Sequence, residues 1–139
     1  MMEATSHTTS MSAPRRWTAH VIAALVVLFL AFDGITKVIL LPQVVQASAP
    51  LGFTVGMLQG IGVLLLVLIV VYVIPATSIF GAVLLTGYLG GATVTNLRAG
   101  EPAFEVLMPV IFGVLVWAPV YIRNDRLRAL IPFRRPTGT

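Results

Sequence analysis

The chain has no cysteine among its 139 residues. It therefore makes no disulfide, holds no thiolate-ligated iron–sulfur cluster and runs no dithiol exchange by itself. Histidine is scarce as well. His7 lies in a polar stretch and His20 at the start of an apolar run, neither with a carboxylate at ligand spacing, so no metal or haem site is expected within one chain. Charge is the third scarcity: 10% of residues are charged, 58% are apolar, and mean hydropathy reaches +0.97. Too few polar residues remain to clothe a soluble domain of this length. The chain reads as an integral membrane protein whose first partner is the lipid bilayer.

What is present agrees. Four apolar runs, placed at 17–41, 53–74, 77–97 and 103–122, follow a polar stretch. Each is about 20 residues long, the length a bilayer core demands. The runs are continuous rather than alternating, which excludes a barrel and leaves helices. The fold class is all-α, a four-helix transmembrane bundle. Residues 1–16 read as a disordered polar tail, 17–122 as the membrane domain and 123–139 as a basic tail.

The breaks between runs have physical causes. Pro42 and Pro50 bracket QVVQASA, read as a short polar connection. Pro75 ends the second helix because its ring cannot continue the ladder, and Thr77 or Ser78 is placed to cap the third. Gly100 suits a C-terminal cap and Pro102 the first turn of the fourth helix. Ala47–Ser48–Ala49 resembles a signal-cleavage site, but the preceding run is too long and Pro50 would follow the cut, so the first run is read as a retained span.

Net charge is +4. Arg15 and Arg16 precede the first run, and Arg123, Arg126, Arg128, Arg134 and Arg135 follow the last. An even number of spans puts both termini on one side, and the arginines assign that side to the cytoplasm. A bacterial cytoplasmic (inner) membrane is the expected location. The arginines lack interleaved aromatics, so no nucleic-acid partner is expected.

Gly52, Gly56 and Gly60 fall four apart in the second run, as do Gly87 and Gly91 in the third. Such strips let another helix approach closely. The expected partner is a helix of the same chain, with an oligomer as the other candidate. Pro109, Gly113, Trp117 and Tyr121 repeat the spacing in the fourth run and read as a packing seam.

The first run contains FLAFDGITKVILLP, with Asp33 and Lys37 one helical turn apart. The spacing puts both on one helix face with the acid N-terminal to the base, the favoured order. A lone ionised Asp at a span's centre costs about 2.5–3.5 kcal/mol, so Asp33 needs a partner, while Lys37 is read as snorkelling to the outer interface. Gln59, Thr93, Asn96 and Arg98 fall at similar depth, with Thr86, Glu101 and Glu105 nearby. An outer-leaflet polar pocket is expected from Asp33, Lys37, Gln59, Thr93, Asn96 and Arg98, with Asp33 its buried acid. The alternative is structural: the pair fixes the rotation of the first helix, and Gln59 or Asn96 completes its hydrogen bonds.

Three stretches, FLAFDGITKV, GAVLLTGYLGGATVTNLRAGEP and WAPVYIRNDRLRALIPFRR, resemble the DoxX-like family of small bacterial membrane proteins. The resemblance implies four spans and a link to redox chemistry. One archaeal branch of the wider family is a subunit of a thiosulfate:quinone oxidoreductase. A bacterial branch partners a superoxide dismutase and a sulfurtransferase in an oxidative-stress complex. The candidate cofactor is therefore a quinone and the candidate partners are redox-enzyme subunits. Asp33, Gly34 and Lys37 match the family's first-helix pattern and Gly87, Gly90 and Gly91 its third-helix pattern. No catalytic residue is carried over. Without cysteine, electron transfer would depend on quinone or another subunit.

Two functions follow. In one, the chain is a quinone-contacting subunit or accessory of a redox system: Lys37 or Arg98 donates to a quinone oxygen and Asp33 passes a proton. In the other it is a non-enzymatic scaffold that recruits soluble partners through RNDRLRALIPFRR, with Leu127, Leu130 and Ile131 facing lipid. A small transporter fits less well, because no inverted repeat or pair of broken helices is present.

Overall fold

Backbone groups in lipid must bond within their own segment, and the apolar runs do so. The computed structural model describes residues 13–131. Four helices there are long and apolar enough to cross a bilayer: α1 (Ala13–Val38), α3 (Val55–Val73), α4 (Ser78–Ala99) and α5 (Ala103–Arg123). Short helices α2 (Pro42–Ser48) and α6 (Asp125–Leu130) flank them, and no strand occurs among the described residues. Most of the polar N-terminal tail, together with Arg134 and Arg135, lies outside the described residues.

The ends of these elements follow from named residues. α1 takes in Arg15 and Arg16 and stops at Val38, short of the apolar run's end. Leu40 adopts a left-handed φ of 55°, with Leu40 N donating to Lys37 O (3.3 Å) and Leu41 N to Thr36 O (3.1 Å). This is a Schellman stop built on leucine, at about 1–2 kcal/mol of steric cost. Pro42 then opens α2, so the expected polar connection is helical and continues into a 3-10 turn, Ala49–Leu51. Gly100, with φ 73°, closes α4 by the same motif. Pro102 stands at the N-cap of α5 rather than inside its first turn.

Pro75 and Pro109 create carbonyls without donors, and side chains answer both. Pro75 has no N–H to give Val71 O; the Thr77 hydroxyl donates there at 2.8 Å. The expected capping bond from Thr77 or Ser78 into α4 is therefore not made, because the Pro75–Thr77 turn aims that hydroxyl back at α3. Pro109 likewise leaves Glu105 O bare, and the Asn96 side-chain amide donates to it at 2.7 Å.

The spans form a ring. α1 packs on α3 and α5, and α4 packs on the same two, so α1 and α4 stand on the diagonal. The apolar core is centred on Val26, Leu65, Leu85 and Val116, and the Tyr72 hydroxyl crosses it to donate to Val116 O at 2.9 Å. This core fills the half of the bundle where α1 begins and α5 ends, here the terminus end. Toward the loop end, beyond Leu30 and Leu89, the buried residues of the spans are Gly34, Thr36, Leu58 and Gly62. The bundle is tight at one end and loose at the other.

Close approach falls at glycines other than those expected. A Cβ on Gly62 would lie 2.8 Å from Gly34 O and 2.9 Å from Lys37 Cβ, and one on Gly81 would run into the Tyr72 backbone. By contrast, no neighbouring atom of the described residues lies within 4 Å of a Cβ built on Gly56, Gly60, Gly87 or Gly91. Among the described residues, the same-chain helix expected against those strips does not come within contact of them. Gly52 serves the backbone instead, ending the Ala49–Leu51 turn at φ 83°. Spacing marks a flat strip but does not say which way it points.

Beyond α5, the Asn124 side chain caps α6 by accepting from Leu127 N at 3.0 Å, and the Tyr121 hydroxyl donates to Ile131 O at 3.0 Å. Leu127 packs against the core rather than facing lipid, while Leu130 stays 80% exposed.

Candidate functional site

On α1, Val26, Leu30, Asp33 and Lys37 recur at intervals of four, three and four, which is one helix face. Val26 and Leu30 are buried in the core. Asp33 and Lys37 continue their line toward the loop end, where the core gives out. Lys37 Nζ donates to the Asp33 carboxylate. The Thr36 hydroxyl, also buried, bonds back to Asp33 O at 2.9 Å.

The division of labour within the pair is the reverse of that expected. The Lys37 side chain is 17% exposed and the Asp33 side chain 39%. Helical side chains lean toward the helix N-terminus, so Lys37, near the C-terminal end of α1, leans back into the bundle instead of snorkelling outward. Gly62 makes room, because a side chain there would meet Lys37 Cβ. Lys37 also lies in the last turn of α1, where the helix dipole favours a cation.

Tyr88 of α4 is the residue that sequence reasoning missed. Gly81, Leu85 and Tyr88 share one face, the first two buried and Tyr88 half-buried. Tyr88 thus ends the buried line of α4 as Asp33 ends that of α1. The signal in the sequence was this periodicity, with one large polar-tipped side chain inside LTGYLGG.

The other expected pocket residues are engaged elsewhere. Gln59 Nε2 donates to Val38 O at 3.1 Å, satisfying the end of α1 rather than the ion pair. Thr93 donates to Leu89 O at 2.9 Å within its own helix. Asn96 serves Glu105 O, and Arg98 is exposed in the last turn of α4. Neither Gln59 nor Asn96 completes the hydrogen bonding of the pair. What the structure brings together is Asp33 with Lys37.

Thr93 also lines an open groove of about 440 Å³ between α4 and α5, with Thr86, Gly90, Pro109, Gly113 and Trp117. Trp117 Nε1 donates to Thr86 Oγ1 at 2.7 Å, and that hydroxyl donates to Ala82 O at 2.7 Å. Pro109, Gly113 and Trp117, expected as a seam, border a groove instead. Among the described residues, no group of three or more His, Cys, Asp or Glu is placed to hold a metal ion.

A family model described as the DoxX-like family matches residues 21–119, most of the chain, with Asp33, Lys37 and Tyr88 inside the match. No curated protein matches the chain, and no solved structure does.

Proposed function

The chain belongs to the DoxX-like family, and we propose that it is a membrane subunit holding a quinone headgroup at the Asp33–Lys37 pair for a redox-enzyme partner. By itself it is not an enzyme on this reading. One observation carries the proposal. Asp33 continues the buried line of α1, yet 39% of its side chain remains accessible, in the loosely packed half of the bundle. A pair retained only to fix helix rotation gains nothing from an accessible acid, and an intramembrane ionisable residue is a functional hypothesis by default. Lys37 supplies a donor for a carbonyl oxygen, Asp33 an acceptor for a hydroxyl, and Tyr88 a second polar tip.

The location proposed with it is the bacterial cytoplasmic membrane, termini inward. Arg15, Arg16, Arg123, Arg126 and Arg128 lie at the terminus end, and Arg98 is the arginine at the loop end. That asymmetry is the one the positive-inside rule reads. The quinone site then lies toward the outer leaflet.

The test is purification in mild detergent, solvent extraction and mass spectrometry of co-purified small molecules, with an Asp33→Asn/Lys37→Met double variant alongside. Quinone near one per chain, lost in the variant, is the expected result. Bulk lipid alone, the same in both, would leave the pair a structural device.

A second reading, a scaffold recruiting soluble partners through the basic tail, rests on α6. Its Leu130 is exposed beside exposed Arg126, while Leu127 anchors the helix to the core. Deleting 126–139 should release such a partner; undiminished recovery would reduce the tail to an anchor.

A further inference from the structure

A second open cleft lies between α1 and α5, away from the ion pair. It measures about 310 Å³ and is lined by Ile22, Leu25, Val26, Phe29, Phe112 and Leu115. Every lining residue is apolar. The Phe29 and Phe112 rings stack at a centroid distance of 4.3 Å and 15° between planes. They mark one end of the cleft.

The register of α1 against α5 identifies what lies at the other end. The helices run antiparallel, with Phe29 against Phe112 and Leu25 and Leu115 in the same cleft. Continued toward the terminus end, that register carries Arg15 and Arg16 to the level of Arg123, where α5 ends, and Arg126 and Arg128 follow on α6, which packs on α5. Arg15, Arg16, Arg123 and Arg126 are exposed. Arg123 Nε donates to Pro119 O at 3.3 Å, and Arg128 pairs with Asp125, which is the acid at that end among the described residues. One carboxylate against this group of arginines leaves the mouth of the cleft cationic.

The dimensions match one leaflet. From Arg16 to Phe29 along α1 is about 20 Å at ~1.5 Å per residue. Half a bilayer, headgroups included, is about 20–22 Å. Stacked Phe29 and Phe112 thus sit near the midplane and the arginines at headgroup level. Trp17, exposed at the same level, suits the membrane interface.

We infer that this cleft is a binding site for an anionic phospholipid of the leaflet on the terminus side. One acyl chain lies in the apolar cleft up to the Phe29–Phe112 stack, and the phosphate meets Arg15, Arg16 and Arg123. An apolar cleft alone takes any chain. An arginine cluster alone takes any anion. Their alignment at leaflet spacing selects a molecule that has both parts, and guanidinium–phosphate pairing is strong and directional.

The experiment titrates the purified full chain in mild detergent with phosphatidylglycerol or with phosphatidylcholine of the same acyl chains, reading bound lipid by native mass spectrometry. Two variants accompany it: Arg15→Gln/Arg16→Gln/Arg123→Gln, and Leu25→Trp, which fills the cleft without touching the charges. The wild-type chain should retain phosphatidylglycerol at least tenfold better than phosphatidylcholine. The arginine variant should lose about fivefold per charge removed. Leu25→Trp should lose retention with all arginines in place. Equal retention of the two lipids overturns the site. So does full retention by Leu25→Trp, because binding would then be diffuse surface charge. Circular dichroism checks both variants for helix content; should the arginine variant fail to fold, the lipid comparison on wild type and Leu25→Trp still decides.

Discussion

The side-chain amide of Asn96 donates across 2.7 Å to the backbone carbonyl of Glu105, on the next transmembrane helix. That carbonyl has no donor from its own helix, because the residue four positions on is Pro109. An amide expected to line a polar pocket is instead the repair of a proline defect.

The repair predicts a coupled pair. Asn96→Leu should destabilise the bundle by about 1 kcal/mol, within the range measured for side-chain hydrogen bonds in membranes. Pro109→Ala restores the backbone donor, so Asn96→Leu should be close to neutral in that background. Thermal unfolding of the four proteins in one detergent gives the cycle. Equal cost of Asn96→Leu in both backgrounds would show that the bond does not serve the proline gap.

The glycines make a second prediction, one of contrast. Gly81→Ala would drive a methyl into the Tyr72 backbone, and Gly62→Ala would press one against Gly34 O. Backbone cannot swing aside as a flexible side chain does, so α3 must move away from α4 or from α1, at about 1–3 kcal/mol. Gly56→Ala and Gly87→Ala meet nothing among the described residues and should leave unfolding unchanged or slightly raise its temperature, since alanine is the better helix former. Destabilisation by Gly56→Ala or Gly87→Ala, together with a change in oligomer size, would reveal that a second copy covers that strip.

These cases mark how far the sequence could be read. Length and continuity of apolar runs specify four helices, because lipid leaves the backbone no other choice. Gly100 and Pro75 announce helix ends, because each acts on the local backbone alone. The ion pair is legible for the same reason: a spacing of four lies within one helix. Everything that needed two helices was harder. Thr77 and Asn96 look like a cap and a pocket wall until their target carbonyls on α3 and α5 are known. The outward direction of Gly56 and the inward lean of Lys37 depend on helix rotation, which long all-round apolar helices such as α3 do not encode. That Tyr88 faces inward shows only once α4 takes its place in the ring between α3 and α5.

A third prediction concerns Trp117 and Thr86. The Thr86 hydroxyl both accepts from Trp117 Nε1 and donates to Ala82 O. Thr86→Val keeps the shape and removes the acceptor, leaving an indole N–H bare beside an apolar groove. A loss of about 0.6–1.7 kcal/mol is expected. Thr86→Ser, which keeps the hydroxyl, should recover most of it. Unfolding curves for the two variants compare them directly, and no loss in Thr86→Val would show that the Trp117–Thr86 bond does not hold the two helices.

The last prediction follows from the unequal burial of the ion pair. Lys37 is the enclosed member and Asp33 the accessible one. Asp33→Asn therefore strands a cation that water reaches poorly, whereas Lys37→Met leaves an acid that is still partly solvated. An unpaired buried charge costs several kcal/mol, but two effects reduce the figure here. The end of α1 favours a cation by about 0.3–1 kcal/mol, and an amide at position 33 still accepts a hydrogen bond. Asp33→Asn should lose about 1–3 kcal/mol on this account, and Lys37→Met less than half of that. The double variant should be more stable than Asp33→Asn alone, because removing both charges removes the stranded one. Thermal unfolding of the three variants orders them, and Lys37→Met as the least stable would reverse the assignment of the buried partner. The same order decides how a ligand experiment is read. Loss of quinone from Asp33→Asn alone is ambiguous if the bundle has loosened, whereas loss from a well-folded double variant assigns the binding to the charges.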